Sequence, residues 1–87
     1  MLIMDIVTWE PERAEEFMKH LAAEKIPQGI KVIGQWGDLA GGRGFRLVEV
    51  ADPRALLAMT SFWSGLCKKE LVPVMATEDA MKLMSGR

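Results

Sequence analysis

The sequence predicts a single α+β domain over residues 1–87, with elements in the order strand, helix, strand, strand, helix, strand. Three observations predict it. Strand-like segments occur at residues 2–9, 30–37, 43–50 and 71–75, the first three alternating and the last short and apolar. Two stretches between them carry apolar residues at three- and four-residue steps, the spacing of one helix face. The order βαββαβ closes as a four-stranded antiparallel sheet with two helices on one face, the ferredoxin-like sandwich, here with a short C-terminal helix added.

Each element has a local cause. Glu10-Pro11-Glu12 opens the first helix, with proline where its missing N–H costs nothing and acids near the positive end of the dipole. Ala14, Phe17, Met18, Leu21 and Ala22 form its apolar stripe, and Pro27 and Gly29 end it. Residues 38–44, with three glycines, read as a hairpin connection, because clustered glycines permit positive φ. A phosphate-cradling loop would need a helix directly after the glycines, and a strand follows instead. Asp52-Pro53 is a strong helix start, an N-cap acceptor followed by proline at the first helical position. Leu56, Met59, Phe62 with Trp63, and Leu66 make the buried side of that helix. Pro73 cannot donate to a ladder, so the fourth strand belongs at an edge. Thr77-Glu78-Asp79 is expected to cap the terminal helix.

Composition narrows the function. The 11 basic and 12 acidic residues leave a net charge of −1, without the basic stripe of a nucleic-acid binder. A single cysteine, Cys67, excludes an intramolecular disulfide and suits a reducing compartment. The first apolar run is short, lacks a basic leader and is broken by Asp5, which argues against a signal peptide or membrane span. A soluble, cytoplasmic protein is expected.

Parity sorts the strand residues onto two faces. Met4, Ile6, Ile30, Val32, Trp36, Phe45 and Leu47 share one face with Thr8 and Glu49, and this set is expected under the helices. Ile3, Asp5, Val7, Lys31, Ile33, Gln35, Arg46, Val48 and Val50 share the other, which is expected to be open. A buried aliphatic side chain contributes roughly 1.5–3 kcal/mol. Leaving several in water would forgo on the order of 10 kcal/mol, comparable to a domain's whole stability. A second copy about a two-fold axis is the simplest cover. The expected dimer face is therefore Ile3, Asp5, Val7, Ile33, Arg46, Val48 and Val50, with Asp5 paired to Arg46 or Lys31.

The opening Met-Leu-Ile-Met, the run Pro27-Gln-Gly-Ile-Lys-Val-Ile-Gly-Gln-Trp36, Phe45-Arg-Leu-Val-Glu49, Asp52-Pro53, Trp63 and Leu71-Val-Pro-Val74 span nearly the whole chain. In that order and spacing the chain resembles the dimeric α/β-barrel superfamily of small ferredoxin-like proteins. Within it, the chain looks most like a family of similar length known only as a domain of unknown function. The resemblance implies a homodimer whose sheets face each other and enclose a small-molecule pocket. Other members of the superfamily are cofactor-free monooxygenases or haem-degrading enzymes. The latter use an asparagine on the first strand, which this chain lacks, and a histidine ligand further along, whereas His20 falls on the first helix. No cofactor and no metal are expected.

The candidate chemistry is sparse. His20 lies on the flank of the first helix, and one imidazole makes neither a metal site nor a triad. Cys67, at the end of the second helix, is expected to be a small buried residue rather than a nucleophile. Trp36 and Trp63 either line a pocket for a flat aromatic molecule or serve as ordinary core. Glu49 closes its strand on the apolar face and is either a general base or a cap for the following helix. Trp36, Glu49 and Trp63 are thus the candidate pocket, with Glu49 and Arg46 the candidate catalytic residues. The reading is a homodimer that binds a small hydrophobic or aromatic molecule. Its alternatives are a cofactor-free monooxygenase- or isomerase-like enzyme and an interaction domain without a ligand.

Overall fold

The computed structural model describes residues 1–86. Its elements are β1 (Leu2–Thr8), α1 (Ala14–Ala23), β2 (Ile30–Gly37), β3 (Arg43–Val50), α2 (Pro53–Phe62), β4 (Lys68–Pro73) and α3 (Thr77–Ser85). A single 3-10 turn at Pro11–Arg13 leads into α1. The strands pair antiparallel in the order β2-β3-β1-β4, the ferredoxin-like arrangement. Among the described residues no helix is long and apolar enough to cross a membrane.

The local signals act largely as expected. Asp52 accepts a hydrogen bond from the Arg54 backbone N–H at 2.9 Å, and Pro53 occupies the first turn of α2. The β2–β3 hairpin closes through Gly41 N–H to the Asp38 carbonyl at 2.8 Å, with Gly41 and Gly42 at φ of 92° and 80°. Several boundaries differ. α2 ends at Phe62, so Trp63 and Leu66, expected on its buried side, are buried from the turn that follows it. β4 lies at the sheet edge, as Pro73 requires, but it runs from Lys68 to Pro73 rather than over residues 71–75, because Lys68, Lys69 and Glu70 already pair with Thr8, Val7 and Ile6 of β1. The N-cap of α3 is Ala76, without a side-chain cap, so Thr77 is its first helical residue. Met81, Leu83 and Met84 remain exposed on it.

The two faces of the sheet are the reverse of the parity assignment. Ile3, Val48 and Val50 pack with Ile30 against Ala55 and Met59 of α2, and Asp5 and Arg46 are only 3% and 6% exposed. Five of the seven residues expected to form a dimer face are therefore buried within one chain. A sixth, Val7, packs against the Phe17–Trp63–Leu66 cluster, while Ile33 is half exposed. Met4, Ile6, Phe45, Leu47 and Trp36, expected beneath the helices, share the face without them. Strand β2 is divided between faces, since Val32 pairs with Val48 while Gly34 pairs with Leu47, leaving Ile33 as a one-residue bulge. An extra residue flips all that follows it, so Ile30 and Val32 face the helices but Trp36 does not.

Candidate functional site

The helix-covered face carries four charges, drawn from four elements or their ends. Asp5 comes from β1, Glu24 from the C-cap of α1, Arg46 from β3 and Lys69 from β4. Arg46 donates from Nη1 to Glu24 Oε1 at 2.6 Å and from Nη2 to Oε2 at 3.0 Å, a fork matched to a carboxylate. Trp63 Nε1 donates to the same Oε2 at 2.9 Å. Lys69 Nζ donates to Asp5 Oδ2 at 2.9 Å, and Arg46 Nη2 stands 3.5 Å from that oxygen. The expected pairing of Asp5 with Arg46 is present within one chain. Its second partner is Lys69 rather than Lys31. Among the described residues, Asp5 Oδ1 is buried without a hydrogen-bond partner.

Electrostatics keep the Glu24–Arg46 pair ionised. Burial pushes the Glu24 carboxyl up, but hydrogen bonds from Arg46 and Trp63, with the charges of Arg46 and Lys69, outweigh it and hold the group below the ordinary carboxylate range. Burial likewise opposes the Arg46 charge, and Glu24 and Asp5 more than restore it.

A stack of aromatic rings fixes α1 beside the cluster. Phe17 lies on Trp9 with centroids 4.0 Å apart and meets Trp63 at 5.1 Å. His20 stacks on Phe62 at 3.9 Å, and its Nε2 contacts the Phe62 carbonyl at the end of α2. The flank position expected for His20 thus has a use: it ties α1 to α2.

Between α1 and the sheet lies a cleft of about 340 Å³, within the roughly 300–1,000 Å³ typical of small-molecule sites. Val7, Trp9, Phe17, Met18 and Leu21 give it an apolar wall. Asp5, Arg46 and Lys69 also line it, and Gln35 and Gly44 border it from β2 and β3. It therefore pairs a broad greasy surface with a few fixed polar groups.

The sequence candidates separate in space. Trp63 is 3% exposed and lines the cleft, as core and pocket wall together. Trp36 borders the cleft, but it is 56% exposed, and its ring crosses Gly34 so closely that a Cβ there would sit 2.7 Å from it. It is not core. Glu49 is absent from the cleft wall and pairs with the Met1 amino group at 2.9 Å. Glu49 and Arg46 point to opposite faces of β3 and are not brought together. Cys67 lies after the turn that follows α2, just before β4, and burial pushes its thiol up despite the charge of Lys69.

Glu24 and Lys69 were the residues sequence reasoning missed, and both carried a signal. Glu24 continues the Phe17–Leu21 stripe, a charge where an apolar side chain is expected. Lys69 shares parity with Leu71 in β4.

Fold and site together define a ferredoxin-like α+β domain with a cleft between its first helix and its sheet. The chain belongs to the DUF3303 family, a domain of unknown function, whose family model matches residues 1–87. Neither a curated protein nor a solved structure matches it.

Proposed function

We propose that this domain is a homodimer that binds a small, flat, largely apolar molecule in the cleft between α1 and the sheet. The observation that carries the reading is the cleft itself, with an aromatic wall facing a charge-balanced polar cluster. The cleft differs from the chamber between two sheets that the resemblance implies. A thermal-shift screen with naphthoquinones, flavonoids and fatty acids tests it, since a ligand that binds the native state raises its apparent stability. Flat aromatic compounds should raise Tm, and Met18→Trp, which fills the cleft from an exposed position, should weaken that rise. Failure of every compound, or an unaltered response in Met18→Trp, overturns the reading and leaves the interaction-domain alternative.

Support for the dimer comes from the face the helices do not cover. Met4, Ile6, Phe45, Leu47 and Val72 share it and are only half-buried in the single chain, while Trp36 beside them is largely exposed. A second copy laid on that face removes these side chains from water. Cofactor-free catalysis by Glu49 with Arg46 has less support, because the two occupy opposite faces of β3.

A further inference from the structure

Resting on the cleft reading, we infer that the bound molecule presents an uncharged hydroxyl, phenolic or alcoholic, to Asp5. Asp5 and Glu24 carry two negative charges, and Arg46 and Lys69 carry two positive ones. All four are joined by the contacts Arg46–Glu24, Arg46–Asp5 and Lys69–Asp5. An anionic or cationic ligand would add an uncompensated charge to a cluster already neutral and largely buried.

The hydrogen bonds are unequal where the charges are not. Both oxygens of Glu24 are occupied, by the two arms of Arg46 and by Trp63. At Asp5 both cations gather on Oδ2, and among the described residues Oδ1 has no partner. Asp5 is 3% exposed and borders the cleft. Asp5 lines the cleft and the terminal torsion of an aspartate is broad, so a rotation about it would offer Oδ1 to a bound group. That oxygen is already buried, and an apolar ligand leaves its desolvation uncompensated. A hydroxyl satisfies it, and the same group accepts from Lys69, whose ammonium has three donors and only one placed on Asp5. The ring behind the hydroxyl would lie along Phe17 and Trp9.

Calorimetric titration at neutral pH with 2-naphthol, 2-methoxynaphthalene and 2-naphthoate tests the inference. These share a two-ring body and differ at one group. A site built to bond a hydroxyl rejects analogues that lack its proton. We expect 2-naphthol to bind at least tenfold more tightly than either of the others. Equal or tighter binding of the methyl ether or the carboxylate overturns the hydroxyl while leaving the cleft reading intact. If 2-naphthol does not bind, the hydroxyl inference is overturned, and the thermal-shift screen decides the cleft reading separately. Asp5→Ala, provided circular dichroism shows a native fold, should bind 2-naphthol and its methyl ether alike, and retained selectivity there also overturns the inference. Should that variant not fold, the comparison of ligands on the unaltered protein still decides.

Discussion

Glu24 grips Arg46 with both carboxylate oxygens, at 2.6 and 3.0 Å, and so ties the end of α1 to the middle of β3. The same carboxylate takes the indole N–H of Trp63 at 2.9 Å, just past the end of α2. One side chain thus joins the ends of α1 and α2 to the sheet, and two of its partners, Arg46 and Trp63, line the cleft. The arrangement makes the position of α1 depend on a buried ion pair as well as on apolar packing.

Glu24→Gln should destabilise the domain by about 3–5 kcal/mol, because it leaves the Arg46 charge buried without its matched partner. Urea denaturation should show a lower midpoint with little change in slope, the mark of lost stability without a change in the surface exposed on unfolding.

The pH dependence follows from the same group. Glu24 has a depressed folded-state value, so its contribution is fully present above the unfolded carboxylate range. That contribution is lost as pH falls through the folded value. Stability should therefore decline as the solution is acidified from the ordinary carboxylate range, at about pH 4.3. In Glu24→Gln this part of the decline should be missing. Urea midpoints for both proteins between neutral and strongly acid pH check the difference.

Met59 is 1% exposed and packs against Ile3, Val48 and Ala55 beneath α2. Met59→Ala should cost about 2–5 kcal/mol through lost burial and the cavity left behind. Equilibrium denaturation measures it.

Leu47→Lys on the uncovered face should convert a dimer into monomers, since a two-fold axis brings two new charges into one apolar contact. Sedimentation equilibrium should find half the mass with the fold retained. A monomer in the unaltered protein at high micromolar concentration would end the dimer proposal.

Cys67 should react slowly with iodoacetamide in the native state near neutral pH and much faster once the chain is unfolded. Its thiol is half-buried and pushed up, so little thiolate is present. Timed alkylation followed by mass spectrometry compares the two states.

Much of the fold was legible because its signals are local. Asp52-Pro53 starts α2 wherever α2 packs. Pro73 demands an edge whatever lies beside it, and the glycines of residues 41–42 turn the chain by their own φ. Periodicity found the four strands and the two main helices for the same reason. The choice of face was not local. Ranking the two parities by apolarity puts Asp5 and Arg46 outside, because a lone buried charge is costly. The cost disappears only when Lys69 arrives 64 residues after Asp5 and Glu24 folds back from 22 residues before Arg46. The bulge at Ile33 compounded the difficulty, for one unpaired residue reverses the pattern of β2 without a mark in its composition. Secondary structure and strand order are therefore written in neighbouring residues. The buried cluster and its cleft exist only once distant charges neutralise one another.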